Sequence, residues 1–582
     1  MFRTPHFGCT SLAGARVVLG MALMTAAPSL AAWSPDGVPV AMVEGDQVRP
    51  VIVSDGAGGA IIAWWDDRAG SLGIYAQRID ADGNPVWTPN GIQVALVEWF
   101  TVMPVAVSDG LGGAYVIWSD SRDAGHSDEH LYAQRIGADG TPHWTVGGVK
   151  VCPAGGRQYY PVAISDYRPQ VGINTNGVIV VFEDTRTGTF TLCAQRMDMN
   201  GARLWGNGGV ALGVTESSGY AAVATDGTAS PFFSAGAIVA WETSSSNIRA
   251  NRVDAGGVVQ WGGDGLPICS ASGDQTNPAL ATIGPRRAII AWEDYRDPDD
   301  IGIFAQMVDN GTVPWTSQGV PVTEAPGPQY QPQLSPAQGG VYLAWADGRN
   351  LDEPFDHDIY AQRLDLNGAN QWSQDAMPVC DRPGFQSGPL ITPDGFGGFC
   401  VVWVDGRGDD DDLRAQRMSP DGNPLWDPEG VVVSGAPGNQ DAPELYLQGD
   451  AILLAWEDTR NGSTTDVYAG RFAPGGTAAL PEVAPGVAPA NGFLVQLISA
   501  SPLSGEARFA VELSAAGQVG AEVSDASGRC VWKLREEALA PGRHVLRWDG
   551  RDASGRPVPS GVYFMRVAAG SRSNVLKLVQ AR

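Results

Sequence analysis

Residues Ala60-Ile61-Ile62-Ala63-Trp64-Trp65-Asp66-Asp67-Arg68 read AIIAWWDDR. An apolar run ends in tryptophan, paired carboxylates and an arginine, residue types that sugar-cleaving sites use. The stretch recurs, however. It returns as YVIWSDSR ending at Arg122, IVVFEDTR at Arg186, IIAWEDYR at Arg296, YLAWADGR at Arg349, CVVWVDGR at Arg407 and LLAWEDTR at Arg460, with a degenerate copy, IVAWETSS, ending at Ser245. Eight copies about every 55 residues mark a solenoid, propeller or array.

Each copy sits in a longer unit. A strand ending in a turn precedes it, as in Pro50-Val51-Ile52-Val53-Ser54-Asp55-Gly56. A variable loop follows, then YAQR (Tyr75–Arg78, Tyr132–Arg135, Tyr360–Arg363). Next comes a Gly with Trp four residues on: Gly83/Trp87, Gly140/Trp144, Gly201/Trp205, Gly257/Trp261, Gly311/Trp315, Gly368/Trp372 and Gly422/Trp426. Another Gly usually stands four later, as at Gly91, Gly148 and Gly430. Short apolar runs bounded by Gly, Asp, Asn and Pro, without helical periodicity after residue 40, predict strands. Asp-Gly steps predict tight hairpins between the first and second and the third and fourth strands. Four antiparallel strands per unit make a propeller blade.

The last copy runs through Ala469-Gly470-Arg471-Phe472 and lacks its Gly-x-x-x-Trp strand, whereas Trp33-Ser34-Pro35-Asp36-Gly37-Val38-Pro39-Val40 has the form of that strand. The two ends are expected to complete one blade, closing an eight-bladed ring and covering its open edges.

The segment D-x-x-G-x-x-x-W (Asp80/Gly83/Trp87, Asp198/Gly201/Trp205, Asp254/Gly257/Trp261, Asp365/Gly368/Trp372) resembles the tryptophan-docking motif of pyrroloquinoline-quinone-type propeller repeats. That resemblance implies tryptophans packed between neighbouring blades. Quinone dehydrogenases of that type typically carry an adjacent cysteine pair, and this chain has no Cys-Cys step.

Residues 1–32 read as a secretory signal: Arg3 and Arg16, an apolar segment from Val17 to Ala27, and small residues at Ser29-Leu30-Ala31-Ala32. Export permits disulfides, but Cys152, Cys269 and Cys380 fall at equivalent places in different repeats, too far apart to bridge. Most cysteines are expected to be buried free thiols. Residues 33–476 form the propeller, and 477–492, rich in Ala, Pro, Gly and Val, a linker.

Residues 493–582 carry strand-like runs at Ala507 to Leu513, Gly520 to Ser524, His544 to Trp548 and Val562 to Val567. The series VSDASGR (Val523–Arg529), PGRH (Pro541–His544) and WDGRDASGRPVPSGVYF (Trp548–Phe564) resembles the immunoglobulin-like domain of flagellar hook-capping proteins. It is equally similar to the C-terminal sorting domains of type IX secretion cargo. The resemblance implies a small β-sandwich that engages secretion machinery. The turn-rich WDGRDASGRPVPSG reads as a hairpin loop and GVYF as the returning strand.

Residues 494–582 carry 12 basic and 8 acidic side chains, and the first 32 carry two arginines and no acid. The net charge of -26 therefore places about -32 on the intervening stretch. Phosphates would be repelled, which excludes nucleic acid. The loops Asp297-Pro298-Asp299-Asp300 and Asp409-Asp410-Asp411-Asp412 have oxygen ligands suited to Ca²⁺, although solvated loop charge explains them more simply. Arg407-Gly408-Asp409 spells an adhesion tripeptide, but its arginine belongs to the repeat. The cluster His126-Ser127-Asp128-Glu129-His130 reads as a polar loop before a metal site.

A catalyst breaks repeat symmetry. Asp66, Asp120, Asp184, Asp294, Asp347, Asp405 and Asp458 are equivalent, as are Arg68, Arg122, Arg186, Arg296, Arg349, Arg407 and Arg460. They are read as a structural ion pair at a turn, with the preceding Trp filling the blade. No zinc motif, nucleophile elbow or phosphate loop appears. The strict S-x-D-x-G-x-x-W repeat of sialidases is absent, Ser419-Pro420-Asp421-Gly422 with Trp426 being the nearest approach. No catalytic, cofactor-binding or metal-binding residue is assigned.

The expected protein is all-β, an eight-bladed propeller closed by its N-terminal strand and followed by an Ig-like β-sandwich. It is expected to be a secreted or outer-membrane-surface monomer of a bacterium, non-catalytic, recognising an extracellular glycan or protein through loops on one propeller face. The alternatives are a glycan-active hydrolase and a structural envelope component. Non-repeated Asp, Glu, Tyr or Arg converging at the central channel would favour the enzyme.

Overall fold

The computed structural model describes residues 33–474 and 493–580, except positions 35, 71, 98–103, 123–128, 166–176, 216–220, 229–235, 298–299, 350–356, 450, 463, 498–506, 514–516, 526–528, 540–541, 549, 553–555, 557 and 570–571. The signal segment 1–32, the linker 477–492, Pro298, Asp299 and His126 to Asp128 lie outside the described residues. So do parts of the C-terminal motif series. The chain forms two compact units, Met1–Asn423 with Val433–Ala478, and Pro424–Val432 with Ala479–Arg582. Regular structure among the described residues is strand, apart from one 3₁₀ turn at Arg68–Gly70.

Eight four-stranded antiparallel sheets follow one another along the first part of the chain. In the first, Gln47–Ser54 pairs with Ala60–Asp66, that with Gly73–Ile79, and that with Ile92–Leu96. The first strand of each sheet contacts the first strand of the next, and that of the eighth contacts that of the first. The ring of inner strands is thus closed, as an eight-bladed propeller requires. The eighth sheet takes Gln440–Gln448, Ala451–Asp458 and Asp466–Phe472 from the end of the ring, and Val38–Ala41 from the start of the chain. Val38 faces Ala469, Pro39 faces Tyr468 and Ala41 faces Val467. The closure expected from the two ends of the sequence is present.

Second strands are apolar on both faces because neighbouring blades cover both. Ile61 and Ala63 pack with Ala114, Val116 and Trp118 of blade two. Ile62 and Trp64 pack with Leu453 and Ala455 of blade eight.

The Gly-x-x-x-Trp spacing joins blades. Seven of these tryptophans lie on the glycine of the following blade: a Cβ on Gly140 would stand 3.1 Å from the Trp87 ring, and one on Gly83 the same distance from Trp33. Those glycines turn at φ of 84° and 87°, where other residues are strained. The indole N–H then donates across the junction, from Trp33 to Ala81 O (3.2 Å), Trp87 to Ala138 O (3.1 Å), Trp144 to Met199 O (3.0 Å) and Trp315 to Leu366 O (3.0 Å). The docking implied by the quinone-type resemblance is therefore observed.

The next glycine of the repeat covers the strand-two tryptophan of its own blade. A Cβ on Gly319 would lie 2.6 Å from the Trp292 ring, whereas one on Gly56, also at positive φ, would meet nothing within 4 Å. Gly56→Ala is expected to cost about 1 kcal/mol from backbone strain alone. Gly319→Ala is expected to cost about 3 kcal/mol, because ring overlap is added. Urea unfolding of the two variants measures the difference, and equal midpoints would refute the contact.

The C-terminal unit has two sheets. One orders Phe493–Leu497, Ala507–Leu513 and Gly542–Trp548. The other orders Cys530–Leu539, Gly517–Asp525, Gly561–Ala569 and Arg572–Gln580. Val511, Val523, Trp548, Met565, Val567 and Leu578 are fully buried among its core residues. Trp548 Nε1 donates to Arg551 O (2.8 Å), and Tyr563 OH reaches back to Pro559 O (2.9 Å). The strands at Phe493–Leu497, Cys530–Leu539 and Arg572–Gln580 were not expected from the sequence.

Candidate functional site

The Asp and Arg of AIIAWWDDR hold the blade together. Asp347 is buried, and its carboxylate accepts hydrogen bonds from Trp345 Nε1 (2.8 Å), Arg349 N (3.0 Å), Arg349 Nε (2.7 Å) and Arg349 Nη2 (2.6 Å). The same set forms at Asp66, Asp294, Asp405 and Asp458. Asp120 and Asp184 keep the arginine pair. Five of the seven guanidiniums lie over an aromatic ring of strand three, among them Arg68 over Tyr75 (3.8 Å), Arg296 over Phe304 (3.7 Å) and Arg349 over Tyr360 (3.7 Å), whereas Cys193 and Arg414 hold that position opposite Arg186 and Arg407. In blade four, Thr243 and Ser245 replace the pair and bond to each other, and Arg249 reaches Asp264 O and Gly265 O from the strand-three position.

The other end of the blade is equally occupied. Gln77 clamps the tryptophan loop, donating to Thr88 O (2.8 Å) and accepting from Trp87 N (3.0 Å). Arg78 pairs with Asp55 (2.9 Å) and donates to Ala138 O (2.9 Å) of the next blade. Arg407 of the RGD tripeptide is bound to Asp405. Asp300 and Asp410 accept from the backbone N–H of Gly327 and Gly438 (2.8 and 2.9 Å). Burial first, and then neighbouring carboxylates, hold the Asp411 carboxyl above its usual range. No group of three or more His, Cys, Asp or Glu among the described residues could hold a metal ion. Cys152, Cys193, Cys269, Cys380 and Cys400 are buried free thiols, and Cys530 is an exposed one.

What varies around the ring lies elsewhere. Six inner strands begin G-x-Q-x-x-P, a motif the sequence reading passed over: Gly45/Gln47/Pro50, Gly156/Gln158/Pro161, Gly273/Gln275/Pro278, Gly327/Gln329/Pro332, Gly384/Gln386/Pro389 and Gly438/Gln440/Pro443. The glutamine is buried in all six, and its amide folds back onto the glycine carbonyl, at 3.0 Å for Gln47 and 2.7 Å for Gln329. Before each proline the strand bulges. Arg49, Tyr160, Asn277, Gln331 and Ala442 all have φ between 46° and 56°, and the register with strand two shifts there. The bulges place different side chains at one mouth of the central axis, the end that also carries the loops after each Asp-x-Arg turn. Tyr160 and Phe385 are exposed there (44% and 39%). Tyr159 stands beside Tyr160 (6.1 Å) and Phe190 (6.3 Å), and His357 stands edge-on to both Tyr330 (5.6 Å) and Phe385 (5.9 Å).

Carboxylates of one blade cap the bulges of the next. Glu457 accepts from Arg49 N and Glu293 from Gln331 N, both at 2.8 Å. Burial, followed by the Glu293 carboxylate, pushes the Tyr295 phenol up to about 12, so it remains a donor. Just below the bulges, one position recurs in every inner strand, fixed by pairing with the residue before the strand-two aromatic. It holds Val51, Val105, Val162, Ala222, Ala279, Gln333 and Leu390, and in blade eight Glu444. Among the described residues Glu444 has neither an ion-pair nor a side-chain hydrogen-bond partner. Desolvation raises its carboxyl from 4.5 to about 7, although the side chain is exposed, which tempers that effect.

A folded-state value above the unfolded one makes the stabilising contribution complete below about pH 4.5 and lost as pH rises through 7. Glu444→Gln is therefore expected to match the parent melting temperature at pH 4 and exceed it at pH 8. A parallel pair of pH profiles would contradict the shift.

Comparison with known proteins adds the following. The family described as FlgD Ig-like domain matches residues 498–573, in line with the hook-capping resemblance. No curated protein matches the chain. Solved structures similar to the chain include a protein of unknown function from Dyadobacter fermentans (11% identity, 75% of this chain and 97% of that one, TM-score 0.33). Others are an α-L-arabinanase from Penicillium chrysogenum complexed with arabinobiose (12% identity, 56% and 96%, TM-score 0.31) and a family 43 arabinoxylan arabinofuranohydrolase from Bacillus subtilis in complex with cellotetraose (11%, 82% and 95%, TM-score 0.26). None of these likenesses transfers a residue role to this chain.

Proposed function

We propose that the propeller is an exported, surface-held recognition module that binds an extracellular glycan at the bulged mouth, with the C-terminal domain serving secretion or anchoring. The observation that supports it is the bulge ring. The Gln and Pro of G-x-Q-x-x-P repeat, while the residues between them change from blade to blade and include an accessible Tyr160 next to Tyr159. Flat aromatic rings beside amide and carboxylate groups suit sugar faces and hydroxyls. A glycan array with the full chain should give a defined set of ligands. Tyr160→Ala and Phe385→Ala should each weaken binding about ten-fold in titration calorimetry. Unchanged affinity in both variants would sink the mouth as the site. Deleting residues 485–582 should abolish surface display, and unchanged display would refute the sorting role.

A hydrolase is the second reading, and Glu444 favours it. A lone carboxyl held above its usual range has the property of a general acid. Product release from the array ligands that Glu444→Gln abolishes, with binding retained, would establish the enzyme over the binding module.

A further inference from the structure

The opposite end of the ring has one junction built differently from its neighbours. At three junctions an arginine and a tryptophan of one blade share a single carbonyl of the next. Arg78 Nη1 and Trp87 Nε1 both donate to Ala138 O, Arg196 Nη1 and Trp205 Nε1 to Ala255 O, and Arg363 Nη1 and Trp372 Nε1 to Pro420 O. The carbonyl comes from the second residue of the D-x-x-G turn. Blade five has a shorter turn, Asp309-Asn310-Gly311-Thr312, closed by Asp309 N to Thr312 O (2.9 Å) instead of the wider Asp80 N to Asn84 O closure. Asn310 and Gly311 take φ of 48° and 86°, the two-residue turn that Asn-Gly favours. The acceptor is lost with the one missing residue.

Trp261 still lies against Gly311, but among the described residues its indole N–H has no acceptor, and Arg252 Nη1 has none either. Arg252 is 6% exposed, held by Asp226 through Nε and Nη2 (2.8 and 2.7 Å). In place of the turn a cavity of about 700 Å³ opens between blades four and five. Thr228, Gln260, Arg286 and Asn310 line it with these two donors. Arg286 is exposed, unpaired and fixed in a left-handed conformation (φ 58°), with its N–H on Asp226 O (2.7 Å) and its carbonyl on Asn310 N (2.9 Å). Asp254, the acid in the lining, is occupied by its own turn through Gly256 N, Val258 N and Gln260 Nε2.

Two held donors, Arg252 Nη1 and the Trp261 indole N–H, and the exposed cation of Arg286 therefore face a ligand-sized cavity, and among the described residues no carbonyl takes the place of the missing one. We propose that this cavity binds a carboxylate-bearing saccharide, a uronate, whose carboxylate takes the place of the missing carbonyl. Arg252, Trp261 and Arg286 hold the carboxylate, and Asn310, Gln260 and Thr228 meet ring hydroxyls. The site lies at the far end of the strands from the bulged mouth and does not depend on the function proposed there.

Titration calorimetry of the full chain with trigalacturonate, and with neutral galactotriose as comparison, tests it. Trigalacturonate should bind and galactotriose should not. Arg286→Asn keeps a residue that tolerates the left-handed conformation while removing the cation. Trp261→Phe keeps a ring on Gly311 while removing the N–H. Each should weaken trigalacturonate about ten-fold or more with an unchanged melting temperature. A chain whose Asn310-Gly311 turn is lengthened to the sequence of residues 80–85 restores the carbonyl and should not bind. Three results would overturn the proposal: no trigalacturonate binding by the parent chain, equal binding of the neutral trisaccharide, or binding indifferent to both substitutions.

Discussion

A chain that begins after residue 41 is expected to lose the single cooperative unfolding of the propeller. Removing residues 33–41 takes away Trp33, Val40 and Ala41, each buried to 3% or less, together with the pairing of Val38 to Ala41 with strand Asp466–Phe472. Lost burial of the tryptophan and valine alone is on the order of 5 kcal/mol. The deletion also bares a strand edge between the last blade and the first, with aggregation as the common consequence. Heating followed by circular dichroism should show a lowered, broadened transition, and a synthetic peptide of residues 33–41 should restore the parent curve when added. A truncated chain that melts within about 1 °C of the parent would mean that closure contributes little.

Asp347→Ala should produce the second large effect, about 3 kcal/mol. The carboxylate is the shared acceptor for one indole N–H, one backbone N–H and a two-pronged guanidinium. Its removal leaves Arg349, whose side chain is only 13% exposed, as an uncompensated cation inside the blade. Asp347→Asn retains one acceptor oxygen and should lose about half as much. The urea midpoint reports both. Blade four shows how such a loss is tolerated: with Thr243 and Ser245 in place, no cation is stranded, and Arg249 supplies the bonds to the outer strand from another position. A midpoint for Asp347→Ala equal to the parent's would return the Asp-x-Arg set to the list of candidate catalytic groups.

The blade repeat was legible because Trp64, Asp66 and Arg68 act within one blade, so the same local physics repeats wherever the chain repeats. The docking of Trp87 on Gly140 was legible only through the resemblance to quinone-type repeats, since the spacing by itself does not show that the glycine that matters belongs to the following blade. G-x-Q-x-x-P escaped notice because its strand starts after a loop of changing length and its middle residues vary. Those middle residues are the ones at the mouth. A position such as Glu444 has meaning only when the seven residues equivalent to it are known, and that equivalence comes from pairing register. In the C-terminal domain, Lys533, Arg535, Glu536 and Glu537 hide the strand Cys530–Leu539 behind charge. The short Asn310-Gly311 turn was visible as a residue deficit, but its consequence, two donors without an acceptor, appears only across a junction.

Trp33 has a role in time as well as in space. It sits on Gly83, some fifty positions along the chain, so this contact can form as soon as the first blade exists. The segment behind it, Val38–Ala41, is then parked at the rim of that blade. Its final neighbours, Val467 to Ala469, arrive more than four hundred residues later. A tethered latch does not have to be found by a loose tail searching the solvent, so the entropic cost of the longest loop in the molecule is reduced before the last strand emerges. For a chain that folds as it leaves a narrow exit, the first residues out would hold the place of the last.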